Sequence, residues 1–186
     1  AREFDQIAPG YHGTLYAEIS PRTFSILVRT GSRLSQLRFR RGNVAVSAAD
    51  MLTLQAETGL VIDVGSTAGD MMNDARGITL SVDLRGEAGT GLIGYRAKRH
   101  SGLIDVDRTN TYDALDFWDP VTVRNEARII LDPDEFYILA SREAVQIPPD
   151  YAAEMVPYDP LVGEFRVHYA GFFDPGFGAA EADGAG

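Results

Sequence analysis

Ile7-Ala8-Pro9-Gly10-Tyr11-His12-Gly13 opens the stretch that decides the fold, Thr14-Leu15-Tyr16-Ala17-Glu18-Ile19 continues it, and Gly31-Ser32-Arg33-Leu34-Ser35-Gln36-Leu37-Arg38-Phe39 closes it. The first segment is a Pro-Gly turn. In the second, Leu15, Ala17 and Ile19 alternate with Tyr16, Glu18 and Ser20, which predicts a half-buried strand over residues 14–20. Pro21 interrupts it, and Phe24, Ile26 and Val28 predict a second strand. Thr30-Gly31-Ser32 then turns the chain into a third, over residues 34–39. The opening turn has an echo at the far end, Phe173-Asp174-Pro175-Gly176-Phe177-Gly178. If each copy precedes a strand, the chain spans about one period of a tandem duplication.

Arg40-Arg41-Gly42-Asn43 breaks the strand pattern, and a boundary is expected between residues 43 and 47. Ser47 caps the best helix candidate, which runs to about Glu57 with Met51, Leu52 and Leu54 on its apolar side and ends at Gly59. Beyond it the chain reads as strand and turn. The cleanest alternation is Ile78, Leu80, Val82 and Leu84 against Thr79, Ser81, Asp83 and Arg85. A glycine-rich run over residues 86–94 follows, then a short strand over 103–106 and a polar, aromatic surface loop over 110–120. Residues 129–131 and 135–140 predict a hairpin about Asp132-Pro133-Asp134. A strand over 144–147 meets the turn Pro148-Pro149-Asp150, residues 166–173 form the last strand, and residues 179–186 are an Ala, Gly and acid tail expected to lack fixed structure. Short strands with Pro and Gly every 8–12 residues indicate a sandwich, barrel or jelly roll with one accessory helix.

The composition narrows the function. The chain has 186 residues, 45% hydrophobic and 24% charged, enough to bury a core. Its net charge of −10 gives no counterion-release affinity for bulk nucleic acid. An anionic ligand therefore needs a locally basic place, and Arg33, Arg38, Arg40 and Arg41 are the dense basic cluster, otherwise a solvated strand end. Cysteine is absent, which removes disulfides, thiolate nucleophiles and Cys-based zinc sites and fits a reducing cytoplasm. No apolar run approaches the roughly 18 residues of a membrane span. No signal-peptide pattern opens the chain, which starts at Ala1 without an initiator Met and reads as a fragment. The glycine-rich run lacks the Gly-Lys-Ser/Thr of a P-loop. Asp116, Asp119, Asp132 and Asp134 fit no calcium loop and read as solvated acids. Asp83 reads as a structural hydrogen-bonding partner of a turn, and His168 as strand surface.

In order and spacing these segments resemble the dUTPase and dCTP deaminase superfamily. Residues 7–13 resemble its third motif, Ile-Asp-Pro-Gly-aromatic-x-Gly, and residues 31–37 its fourth, Gly-x-Arg-hydrophobic-x-Gln-Leu. Residues 77–85 resemble the first motif, and 136–149 the stretch before the second. The likeness is greatest to the long, duplicated bacterial dCTP deaminases. It implies a mainly β, dUTPase-like β-clip or distorted jelly-roll barrel. Residues 1–42 would be the C-terminal strands of a first copy, and 47–186 a second copy incomplete at its C-terminus.

The resemblance also implies roles. Glu18, by pattern alone a solvent-facing strand residue, stands where the deaminase branch carries its catalytic glutamate, a general base and then acid whose pKa burial would raise. Tyr11, by itself a turn aromatic, would pack on the deoxyribose, and Arg33 and Gln36, by themselves edge polarity, would bind triphosphate oxygens. The implied reaction is deamination of dCTP to dUTP by a homotrimer, with Mg²⁺ arriving on the nucleotide. Zinc deaminases use a His/Cys/Cys site; without Cys, and with His12, His100 and His168 in no ligand spacing, no zinc and no protein-bound metal is expected. Two departures matter. Ala8 replaces the motif's Asp, which Asp174 keeps; and Pro157-Tyr158-Asp159-Pro160-Leu161 replaces the Arg-Ser-Ser-Leu of the second motif, so the second copy reads as catalytically degenerate. The first copy's own first and second motifs would lie upstream of Ala1, so residues 1–186 alone are expected to be inactive. The alternatives are a dUTP diphosphatase, which Ala8 weakens, and a non-catalytic nucleotide-binding or assembly module.

Overall fold

The computed structural model describes residues 7–42, 45–62, 77–123, 128–155 and 171–179. Their architecture is mainly short strands with two helices. Helix α1, Ala48–Thr58, begins where Ser47 accepts a hydrogen bond from the Asp50 N–H (3.1 Å). It ends where Gly59, at φ 65°, turns left-handed and donates to the Gln55 carbonyl. Met51 and Leu54 pack on Leu60 and Val61, whereas Leu52 lies exposed.

Strand β2, Val61–Ile62, pairs antiparallel with β7, Ala144–Val145. On its free side the Gln55 amide replaces a strand: its Oε1 accepts from Val61 N–H (2.9 Å) and its Nε2 donates to Val61 C=O (3.1 Å). Ile78 and Val145 complete this small core.

The largest sheet has the order β5-β3-β6, with β3 at Leu92–Ala97, β5 at Trp118–Thr122 and β6 at Tyr137–Leu139, all antiparallel. Ile93 and Ala97 are buried. The central strand β3 falls partly within the run read as glycine-rich. Gly94 belongs to it because a Cβ there would collide with the Ile138 carbonyl. The expected loop over 110–120 is instead helix α2, Ala114–Phe117, leading directly into β5. Asp113 caps α2 by accepting the Leu115 N–H, and Pro120 is tolerated because β5 is an edge strand. The expected hairpin is also corrected: β6 pairs with β3, not with residues 129–131, which hold no strand. The chain does turn at residues 133–134, with Asp134 at φ 58°.

Residues 78–84 meet residues 140–142 through a single bridge, Val82 to Ser141, flanked by two backbone hydrogen bonds, rather than as a regular strand. Strands β8, Ala153–Glu154, and β9, Phe172–Phe173, pair antiparallel. The rest of the expected last strand, residues 166–170, and the tail from 180 lie outside the described residues.

The opening stretch departs most from expectation. Residues 14–20 and 34–39 hold no strand and are exposed throughout. A strand exists only with a partner, and among the described residues these have none. What docks is the middle, residues 21–32. Strand β1, Ile26–Leu27, pairs parallel with β4, Ile104–Asp105. Phe24 meets Phe117 (5.4 Å) and Trp118 (5.1 Å) edge to face, and Tyr112 meets Phe117 likewise. Beside them the Arg29 guanidinium forks onto both Asp105 oxygens (2.6 and 2.8 Å) and reaches Asp107 (3.2 Å). Ser32 Oγ donates to Asp107 and accepts the Arg29 N–H, both at 2.9 Å. The Arg29 hydrogen bond, above all, holds the Asp105 carboxyl below the usual carboxylate range.

Two outcomes are expected. Phe117 is buried at the centre of the aromatic contacts, so Phe117→Ala should lower unfolding free energy by about 3–5 kcal/mol in chemical denaturation. Asp105 has a native value below its unfolded one. Its stabilisation is therefore complete above the ordinary carboxylate value of about 3.9 and is lost as pH falls through the depressed native value. The stability gap between the wild type and Asp105→Asn should narrow over that acid range, followed by thermal melts.

Candidate active site

The sequence-derived residues lie on either side of the docked segment. Tyr11 closes a turn in which its N–H donates to the Ala8 carbonyl (3.2 Å), with Gly10 at φ 78°. The distant echo folds the same way: Phe177 N–H donates to the Asp174 carbonyl (3.1 Å), with Gly176 at φ 84°. The surroundings differ. The second turn is held on Ile147 by two further backbone hydrogen bonds, Gly176 N–H to Ile147 C=O and Ile147 N–H to Phe177 C=O. The first turn is exposed. Tyr11 bends back so that its hydroxyl donates to the Thr14 carbonyl (2.5 Å). Gly13 makes room for it, since a Cβ there would sit 2.9 Å from the Tyr11 hydroxyl.

Glu18 is exposed, seven residues beyond Tyr11, and its carboxylate has no hydrogen-bond or ion-pair partner among the described residues. The expected half-buried strand around it is not formed, because residues 14–20 pair with none of the described residues. Arg33 is likewise exposed, one residue past the turn closed by Ser32 N–H to the Arg29 carbonyl (3.0 Å). Gln36 follows on the same extended stretch, its Oε1 accepting from Arg38 Nη2 (2.9 Å). Arg33 and Gln36 thus share one segment. Among the described residues no hydrogen bond or ion pair joins either of them to Glu18 or Tyr11.

The basic cluster divides by contact. The Arg38 guanidinium lies 3.3 Å from the centroid of the Phe172 ring, and Arg40 pairs with Glu154 (3.0 Å). Arg38 and Arg40 thus reach the two partners of one β8–β9 pair, Phe172 and Glu154. The Arg29, Ser32, Asp105 and Asp107 network went unread in the sequence. Its signal was the spacing of Asp105 and Asp107, one acid at the end of a short strand and one in the turn after it, which one arginine can span.

Ser81 stands in the middle of the stretch that resembles the first motif, and it is fully engaged. Its N–H donates to Glu143 Oε2 (2.7 Å) and its hydroxyl to Glu143 Oε1. Glu143 is buried, 3% exposed. Arg142 N–H closes the same contact on the Ser81 carbonyl (2.8 Å). Asp83 accepts the Arg85 N–H (2.8 Å) and faces its guanidinium, which holds the Asp83 carboxyl below its usual value. That is the structural role expected for it. Asp119 faces Arg96 (3.4 Å) and Lys98 (3.8 Å).

Comparison with known proteins gives a consistent identity. Residues 1–43 match the family model of the 2'-deoxycytidine 5'-triphosphate deaminase (DCD) N-terminal domain, and residues 47–186 that of the DCD C-terminal domain. The chain belongs to the dCTP deaminase family. The crystal structure of 2'-deoxycytidine 5'-triphosphate deaminase from Agrobacterium tumefaciens matches all of this chain at 57% identity and a TM-score of 0.86. The chain spans 54% of that protein's chain, about half its length. A comparison with curated protein sequences gives no match. Among the described residues of this dCTP deaminase family member, no helix is long and apolar enough to cross a membrane, and no group of three or more His, Asp or Glu side chains gathers.

The Glu143–Ser81 contact can be tested by stability alone. Ser81→Ala removes the hydroxyl donor from a buried carboxylate and should cost about 1–3 kcal/mol in denaturant titration.

Proposed function

We propose that the full-length protein carrying this chain deaminates dCTP to dUTP and ammonia, the nucleotide arriving as its Mg²⁺ complex. The observation that carries this reading is the 57% identity to a dCTP deaminase over the whole chain. Within the chain, Glu18 retains a carboxylate that no other described residue engages. It takes a proton from water as the oxygen adds to C4 of the cytosine ring. That proton passes to ring N3 as the C4=N3 bond opens, and Glu18 then carries the proton of the new C4 hydroxyl to the exocyclic nitrogen as the C–N bond breaks, ammonia leaves and C4=O forms. Tyr11 packs on the deoxyribose, and Arg33 and Gln36 bind phosphate oxygens through charge-assisted and amide hydrogen bonds.

Residues 1–42 are read as the closing strands of a first dUTPase-like copy and residues 47–186 as a second, in a β-clip, distorted jelly-roll arrangement. The matching turns at Ala8–Tyr11 and Asp174–Phe177 support this duplication. A homotrimer is the proposed assembly and the cytoplasm the proposed location, the latter supported by the absence of Cys. Leu15, Ile19, Leu34, Leu37 and Phe39 lie exposed around Glu18 and Gln36, and burying them against a neighbouring subunit would also exclude water from Glu18. The engaged Ser81 favours an assembly or scaffold role for the second copy.

Ammonia and pyrophosphate release from dCTP and from dUTP tests the reading on the full-length protein. Ammonia from dCTP should appear and fall by about 10²–10⁴-fold in Glu18→Gln. Pyrophosphate from dUTP instead would establish a diphosphatase, and nucleotide binding without turnover a non-catalytic module. Residues 1–186 alone, about half the solved deaminase in length, should turn over little or no dCTP.

A further inference from the structure

The stretch carrying Arg33 and Gln36 is fixed at both ends by residues far away in sequence. Upstream, Arg29 and Ser32 are tied to Asp105 and Asp107 through four side-chain hydrogen bonds of 2.6–3.2 Å. Downstream, the Arg38 guanidinium carbon lies 3.3 Å from the Phe172 ring centroid and Arg40 reaches Glu154. Exposed ion pairs of this kind add little to stability. Their consequence is geometric: residues 33–37 bridge two anchors.

The downstream anchor also fixes a chemical orientation. A guanidinium only donates hydrogen bonds. Gln36 therefore presents its carbonyl oxygen to Arg38 Nη2, at 2.9 Å, and its NH₂ group is directed away from Arg38. The Phe172 face holds Arg38 at 3.3 Å, Arg38 holds the Gln36 amide, and the free edge of that amide consists of donors. Amide donors from Gln36 and the Arg33 guanidinium on one short stretch suit a polyphosphate chain and disfavour a cationic or donor-rich ligand.

We infer that Phe172 and Asp105 are positioning residues for triphosphate binding, Phe172 acting through Arg38 and Gln36, and Asp105 through Arg29 and Ser32. The inference rests on the reading of Arg33 and Gln36 as phosphate ligands. On this view the half of the chain around Ser81 contributes to the reaction without touching substrate, by setting the shape of the phosphate-binding stretch.

The test uses the full-length protein, with inorganic triphosphate as a probe that carries the phosphates without the base. Phe172→Leu keeps apolar bulk on β9 and removes the π face; Phe172→Trp keeps the face; Asp105→Asn keeps the shape and removes the charge. Phe172→Leu and Asp105→Asn should each weaken triphosphate binding by about tenfold and raise KM for dCTP comparably, with kcat changed far less. Phe172→Trp should restore binding, and melting curves identify any variant that is misfolded. Unchanged triphosphate affinity in folded Phe172→Leu and Asp105→Asn overturns the inference, as does equal loss in Phe172→Trp. A wild type that binds triphosphate yet releases no ammonia from dCTP overturns the deaminase reading alone, and the variants still decide this one. A wild type that binds no triphosphate overturns the phosphate role and this inference with it.

Discussion

Phe24 is the side chain on which the placement of the candidate site depends. Residues 7–42 hold one two-residue strand, too little pairing to fix a chain of that length. The edge-to-face contacts of Phe24 with Phe117 and Trp118 supply the apolar burial that the strand lacks. With Phe24 seated, β1 falls beside β4 and Arg29 falls within reach of Asp105 and Asp107. The apolar contact and the charge network act on one short segment, so a directional, exposed interaction is set by a non-directional, half-buried one.

The two Pro-Gly turns show how context changes a shared local structure. Both close with the same hydrogen bond and the same left-handed glycine, because Pro fixes φ at the second position and Gly accepts positive φ at the third. Only the second is stitched to Ile147. The first displays Tyr11, folded over Gly13, to solvent. A turn that is purely structural in one place is thus available for recognition in the other.

What the sequence made legible follows the range of the forces involved. The ends of α1 were readable because Ser47 and Gly59 act on backbone groups within four residues. The turns at residues 8–11, 30–32 and 174–177 were readable for the same reason. The periodicity of residues 14–20 and 34–39 records side chains suited to a sheet, yet pairing needs a second strand that no local pattern supplies. Strand β3 was hidden by Gly91 and Gly94, which read as loop although Gly94 is there to let β6 approach. Helix α2 was hidden by its four-residue length. At the candidate site, Arg33 and Gln36 share one stretch because three positions separate them in sequence, but the anchors of that stretch were not visible. Arg38 on Phe172 joins residues that only the folded chain brings together.

Pro120 in β5 has a consequence for how molecules of this kind meet. The edge of a sheet is an open row of hydrogen-bonding groups, and another strand can add to it. Pro120 has no N–H to offer, so a strand approaching the outer side of β5 finds the row interrupted near its middle. Edge-to-edge growth of the largest sheet is discouraged on that side. At that edge recognition is left to side chains, where specificity comes from shape and charge rather than from the uniform ladder that any extended peptide can complete.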